Sequence, residues 1–287
     1  MKTIAFGEII WDVYPDEAVI GGAPFNFCAH LAHLGDTAYL ASATGADKLG
    51  KEALAHMRVH GVRTDLMQSG THPTGQCTVT LNADKIPQYE IVADSAYDNL
   101  TATEPYLQKI REIGADVFYF NTLIQRGPVS REALVRILQT CTFPDIFCDI
   151  NLRKDCFDEE SCRLCLESAT ILKLSDEEEP LLSEFGFYES AENEEKLLEN
   201  IATEFPNIRL ILFTKGENGS VIYDARSGGS TVVPAVKAQV VSTVGAGDSY
   251  SAAFLCEYLQ SGDIAKAGQA GAALSSYVVS HKEAIPF

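Results

Sequence analysis

Near its C-terminus the chain reads Gly245-Ala246-Gly247-Asp248-Ser249-Tyr250. A small-residue turn feeding a helix presents free backbone N–H groups at the positive end of that helix, where an anion can settle. Asp248 in the first turn would face that anion, which makes sense if the carboxylate takes a proton from a hydroxyl lying between them. Spacing alone also allows Asp248 a plainer role, capping the helix and favouring its dipole. A second turn, Gly21-Gly22-Ala23-Pro24-Phe25-Asn26, sets close-approach backbone and an amide at the start of another helix, with Pro24 suited to its first turn. Asp12, after the first strand, adds a carboxylate. Carboxylate, amide and glycine backbone together offer the donors and acceptors that a polyhydroxy ligand requires. The alternative is a pair of turn glycines beside a solvated Asp.

Other motifs fail on chemistry. Gly45 to Glu52 imitates a phosphate-binding P-loop through Lys51, but the position that must offer magnesium a hydroxyl carries Glu52. The Gly245 turn opens like a dinucleotide fingerprint, yet Tyr250 occupies the third glycine position and the segment lies far from a first βαβ unit. Cys162 and Cys165 have zinc spacing without a second pair or a nearby His, and read as core residues of a helix. His56 and His60 share a helix face but lack the Glu of a metalloprotease motif and a third ligand, so a solvated face is the better reading.

Those residues need a scaffold. Short β-branched or aromatic runs near 2–9, 38–44, 116–121, 145–150, 170–174 and 208–214 alternate with amphipathic stretches, the βαβ pattern of a parallel sheet. Helices are predicted from Asn26 to Gly35, from Asp47 to His60, after Pro128, Asp158, Asp176 and Asn193, and over 247–260 and 264–280. Two segments break the alternation, 12–22 and 74–96. Both read as antiparallel strands leaving the main sheet, and paired they would form a lid over a site. One α/β domain over 1–287 with that lid is the expected organisation.

At 287 residues, 46% apolar and 22% charged, the composition is that of an ordinary globular protein. Net charge is −18, a surface that repels phosphate backbones, so nucleic acid and anionic membrane are not expected partners. The apolar runs are too short to cross a bilayer, no export signal is visible, and the cysteines are scattered through apolar segments. A cytoplasmic location is expected.

With these motifs in hand, the sequence resembles the ribokinase-like, phosphofructokinase B type carbohydrate kinases. The resemblance rests on Gly21 to Cys28, continuing through Gly35 to Gly45, and on Ser242-Thr243-Val244-Gly245-Ala246-Gly247-Asp248, which looks like the family's Asp-Thr-x-Gly-Ala-Gly-Asp box with Ser242 for the first Asp. Asp149-Ile150-Asn151-Leu152-Arg153 is similar to a segment of fructokinases and 2-keto-3-deoxygluconate kinases. Ser175-Asp176-Glu177-Glu178 resembles an Asn-x-x-Glu element linked to magnesium and phosphate, and Thr214-Lys215-Gly216 a nucleotide-contacting turn.

The resemblance implies a mainly parallel, three-layer sheet of nine or so strands flanked by helices, with a small β lid. It implies Asp248 as general base and Gly245, Ala246 and Gly247 as an anion hole. Asp12, Gly22, Asn26, Asn151 and Arg153 would hold the sugar. Thr214, Gly216, Ser175, Ala272 and Ser275 would contact ATP, with Glu178 acting on Mg2+ through water. A monovalent cation would bind more weakly than in relatives, because Ser242 lacks the carboxylate charge. D-fructose is the first expectation for the acceptor; a keto-deoxy acid such as 2-keto-3-deoxygluconate, a pentose or a nucleoside is the alternative. A non-catalytic sugar sensor is disfavoured by the intact Asp248. The lid edges would suit a homodimer.

Overall fold

Near-continuous apolar runs on the central strands, such as Val117–Phe120 and Leu210–Phe213, dictate a sheet covered on both faces. A computed structural model describes residues 1–81 and 87–287, with backbone alone at 80, 81 and 87–89. The strands are β1 (Lys2–Phe6), β2 (Ile10–Val13), β3 (Ala18–Gly21), β4 (Thr37–Ala41), β5 (Ala43–Gly45), β6 (Gln68–Gly70), β7 (Gly75–Leu81), β8 (Pro87–Ile91), β9 (Val117–Asn121), β10 (Asp145–Asp149), β11 (Ile171–Ser175), β12 (Leu210–Thr214), β13 (Ser220–Asp224) and β14 (Gly229–Val233). The helices are α1 (Ala23–His33), α2 (Lys48–Val59), α3 (Glu104–Ile113), α4 (Pro128–Thr140), α5 (Glu159–Ser168), α6 (Glu179–Ser183), α7 (Glu194–Glu204), α8 (Ala246–Ser261) and α9 (Ile264–Val279).

The main sheet has eight strands in the order β14-β13-β12-β11-β10-β9-β1-β4. All pairs are parallel from β4 to β12, and the last two are antiparallel. Ala5, Val117, Tyr119 and Phe147 pack with Phe25, Phe27 and Leu31 of α1 and Phe254 of α8. Ile4, Phe6, Phe118 and Phe120 pack on the other face with Leu107 of α3, Leu134 of α4 and Leu166 of α5. Helix, sheet and helix thus form the expected three layers, in which Cys162 and Cys165 are buried core residues.

The lid is a separate four-stranded sheet in the order β3-β2-β7-β8. It consists of two antiparallel hairpins, β2–β3 and β7–β8, joined by a parallel β2–β7 pair. The middle of the expected lid segment, residues 82–86, lies outside the described residues.

Other boundaries differ from expectation for local reasons. The predicted strand over 38–44 breaks at Ser42 into β4 and β5, and β5 pairs with β6 in a two-stranded sheet of its own. Helix α1 begins at Ala23, three residues before Asn26, because the Glu8 carboxylate takes the Ala23 N–H (3.2 Å) and Pro24 fits the first turn. The main sheet has one strand fewer than the nine or so implied, and the antiparallel β13 and β14 and helix α3 have no counterpart in the sequence reading. Among the described residues no helix is long and apolar enough to cross a membrane.

Candidate active site

The Gly245 turn and helix α8 meet α1 at the carboxyl ends of the central strands. Gly245 caps α8 with φ +79°, and a Cβ there would come within 2.8 Å of Ala284 Cβ, so both backbone and space demand glycine. The Ala246 N–H is bonded to Thr243 O (3.2 Å). The N–H groups of Gly245 and Gly247 therefore remain, without an acceptor among the described residues, at the positive end of a 16-residue helix.

Asp248 lies in the first turn of α8, and its Oδ2 accepts a hydrogen bond from Asn26 Nδ2 at 2.8 Å. The two glycine turns, 222 positions apart, are thus joined side chain to side chain. A solvent-reachable edge remains on Asp248, yet protein surrounds most of its carboxyl. Burial pushes its pKa up to about 6, the Asp149 charge adds to the rise, and the Asn26 hydrogen bond, Lys173 and Arg153 oppose it. Asn26 Oδ1 and Asn151 Nδ2 are buried and have no partner among the described residues. An acceptor and a donor left unsatisfied beside a carboxylate are what a ligand rich in hydroxyls would complete.

Two charged residues escaped the sequence reading. Lys173, in the middle of β11, stands in register with Asp149 on β10 and donates to its Oδ1 at 2.8 Å. It is 7% exposed, and a Cβ on Gly247 would lie only 3.3 Å from its Nζ, so a buried ammonium stands directly behind the glycine turn. Desolvation opposes that charge, but Asp149, Glu178 and Asp248 outweigh it and hold the Lys173 pKa above its ordinary value. Glu8, 1% exposed, accepts from the Ala23 N–H and from Asn121 Nδ2 with both oxygens (3.1 Å each), tying the starts of α1 and β2 to the end of β9. Burial raises its pKa to about 7. The available signal in each case was a lone charge inside an apolar run, Leu172-Lys173-Leu174 and Phe6-Gly7-Glu8-Ile9.

The remaining expected residues divide. Asp12 on β2 is raised in pKa chiefly by burial, opposed by a hydrogen bond from Cys77 and by the Arg153 charge. The charge of Arg153, an exposed residue, also opposes the rise in pKa of Glu8, Asp149 and Asp248. Gly22 has φ +107° and would crowd the Glu8 carbonyl at 2.7 Å if it carried a Cβ. Asn151 has φ +45°. Ser175 and Thr214 pair in register at the ends of β11 and β12, and Gly216 has φ +50° with open space around it. Glu178 Oε2 accepts from the Ser175 N–H (2.9 Å) and hydroxyl (2.8 Å), and its Oε1 from the Leu152 N–H (2.9 Å). Ala272 and Ser275 lie half-buried on α9, outside this hydrogen-bonded cluster. Among the described residues there is no group of three or more His, Cys, Asp or Glu that could hold a metal ion.

The cluster offers an oriented carboxylate, a glycine turn with two unengaged N–H groups backed by a buried cation, and unsatisfied buried polar atoms on Asn26 and Asn151. The family model described as pfkB family carbohydrate kinase matches residues 8–287. Over 278 residues the chain is 26% identical to the 5-dehydro-2-deoxygluconokinase of Bacillus anthracis, covering 91% of this chain and 80% of that protein. It is 25% identical over 281 residues to the probable fructokinase-5 of Arabidopsis thaliana, covering 91% and 84%. In fold it is similar to a fructokinase of Xylella fastidiosa with bound ATP, at a TM-score of 0.85 and 20% identity over 99% and 94% of the two chains.

Proposed function

Because this chain belongs to the pfkB family of carbohydrate kinases and is an ATP-dependent phosphotransferase, we propose that its acceptor is a keto-deoxy sugar acid and that the cluster around Asp248 performs the transfer. The observation that carries the acid reading is Arg153. Its charge is felt by Glu8, Asp12, Asp149 and Asp248, yet it forms no ion pair with any described residue. An exposed guanidinium without an ion-pair partner, whose charge reaches the carboxyls of the Asp248 cluster on a chain of net charge −18, is a docking point for a substrate carboxylate. The names of the Bacillus relatives support the same substrate class. D-fructose, the first expectation from the Asp149 to Arg153 segment, becomes the second reading, favoured by similarity to the plant fructokinase.

Phosphoryl transfer needs alignment and charge neutralisation more than covalent help. In the proposed mechanism the acceptor hydroxyl lies between Asp248 and the γ-phosphate. Asp248, ionised above pH about 6 and oriented by Asn26, takes the proton as the new O–P bond forms and the bond from the γ-phosphorus to the bridging oxygen breaks, so that ADP leaves. The N–H groups of Gly245 and Gly247, with Lys173 behind them, hold the phosphoryl oxygens. Ala246 joins them only if its N–H leaves Thr243 O. Asp12, Gly22, Asn26, Asn151 and Arg153 hold the acceptor, while Thr214, Gly216, Ser175, Ala272 and Ser275 flank ATP. Glu178, its oxygens already engaged by Ser175 and Leu152, would act through water on a magnesium ion brought with ATP, which would supply neutralisation of phosphate charge.

The test is ADP release with MgATP across 5-dehydro-2-deoxygluconate, 2-keto-3-deoxygluconate, D-fructose, ribose and adenosine, repeated with Arg153→Met. One of the two acids should give the highest kcat/KM, and Arg153→Met should lower it by about 100-fold while changing fructose turnover far less. Fructose in first place would establish the second reading. We further propose weak dependence on potassium. Ser242 Oγ accepts the Val244 N–H (3.2 Å), steadying the loop internally without the charge of a carboxylate. Activity should persist when choline replaces potassium at constant ionic strength; complete inactivity in choline would refute it.

A further inference from the structure

The lid is tied to the body across a cavity of about 720 Å³, lined by Glu90 and Ile91 from the lid side and by Lys154 and Asp155 from the segment that follows Arg153. One side chain spans that junction. Arg126 follows the carboxyl end of β9, and its guanidinium is committed in every direction. Nε and Nη2 grip Asp98 Oδ1 and Oδ2 at 2.8 and 2.7 Å. Nη2 also donates to Val92 O at 2.7 Å and Nη1 to Ile91 O at 3.3 Å, at the point where β8 leaves the lid. The cation lies 5.0 Å from the centre of the Tyr97 ring. Arg126 and Asp98 side chains are 12% and 6% exposed, and Asp98 in turn accepts the Ser95 N–H (2.9 Å), fixing the chain as it returns to the body. At the neighbouring Gly127 a Cβ would come within 2.8 Å of Asp98 O, so the two segments pack backbone to backbone.

The register of the lid carries this anchorage to the site. Ile91 stands opposite Cys77, and Cys77 opposite Asp12, so the Arg126 anchor and the Asp12 carboxylate occupy one rung of the sheet. We infer that Arg126 is a positioning residue that sets the lid over the acceptor, through the rung Ile91–Cys77–Asp12. It touches no reacting group. Its planar fork holds two carbonyls and a carboxylate at once, a geometry that the point charge of lysine cannot reproduce. Loss of the fork frees the β8 exit, and Asp12 then samples positions away from the acceptor hydroxyls. This inference rests on the reading of Asp12 as an acceptor contact.

The chain contains one tryptophan, Trp11, next to Asp12 on β2. It is 4% exposed and donates its indole N–H to Leu49 O (3.2 Å) in α2, so its emission reports the lid independently of turnover. The experiment titrates the unmodified protein, Arg126→Lys, Arg126→Met and Asp12→Ala with 5-dehydro-2-deoxygluconate and with D-fructose, following Trp11 emission and initial rates. For both Arg126 variants we expect the acceptor Kd from Trp11 and the acceptor KM to rise together by about tenfold or more, with kcat and the KM for ATP within about threefold. Amide hydrogen exchange across β7 and β8 should quicken in the same variants. If Kd, KM and lid exchange stay unchanged while the melting temperature falls, Arg126 only stabilises the fold and the inference is overturned. If Asp12→Ala leaves the acceptor KM unchanged while the Arg126 variants raise it, the lid tie stands and the reading of Asp12 fails. The reverse result sinks the lid tie alone.

Discussion

Asp248 is held where its own charge is disfavoured, and that cost can be measured apart from catalysis. Burial raises its pKa from the ordinary 3.8 to about 6. A folded-state pKa above the unfolded one contributes stability that is complete below pH about 4 and is lost as the pH rises through about 6. Asp248→Asn keeps an oxygen for the Asn26 amide and removes the charge, so it should stabilise the protein at pH 8 by on the order of 2 kcal/mol and leave it unchanged at pH 4. Urea unfolding at the two pH values checks this; equal or lower stability at pH 8 would mean that the carboxylate is not the strained group. Asp248 and Asn26 could be singled out in the sequence because each follows a glycine turn where local geometry frees a side chain, and their hydrogen bond joins the two turns; Asp12, expected after the first strand, lies within β2. Lys173 could not. A single lysine between two leucines of a strand looks like an interruption until the neighbouring strand supplies Asp149 in register, which is a tertiary fact.

The segment that imitates a P-loop shows how an element can borrow a motif's residues for packing. Gly45 closes β5 and Asp47 caps α2, accepting from the Gly50 N–H (2.8 Å). The same carboxylate accepts from the Thr74 N–H (2.9 Å) and hydroxyl (2.7 Å), immediately before lid strand β7. A Cβ on Gly50 would come within 2.3 Å of the Gly45 carbonyl, so these glycines serve closeness and not phosphate. Although burial alone would raise the Asp47 pKa, the bonds from Thr74 and Gly50 outweigh it and hold it below the ordinary value. Its contribution is therefore present at neutral pH and fades as the pH falls through the carboxylate range. Asp47→Ala should cost about 2 kcal/mol at pH 7 and less at pH 3, by denaturant titration. A loss under about 0.5 kcal/mol at pH 7 would show that the lid root is held by other contacts. Helix periodicity and strand alternation were legible here, but the break at Ser42 was not, because β5 leaves its neighbour only to pair with β6, 25 positions downstream.

Across the whole molecule the parallel β-α architecture followed from alternating apolar periods, and the lid from two segments that broke them. What sequence could not supply was the parallel β2–β7 pair, which depends on a register between segments more than 60 positions apart. That pair fixes Asp12 beside Cys77 in the lid, while the packing of α1 on α8 brings Asn26 against Asp248, so the two glycine turns meet only once the layers have assembled. The claim that unites these scales is that Asp248 is the general base of the transfer. The most direct test is kcat at saturating MgATP and acceptor, from pH 5 to 9, for the unmodified protein and Asp248→Asn. Turnover should rise with pH through an apparent pKa near 6, and the variant should lose about 100-fold or more with acceptor KM little changed. Turnover in Asp248→Asn within a few-fold of the unmodified protein would contradict the general-base role.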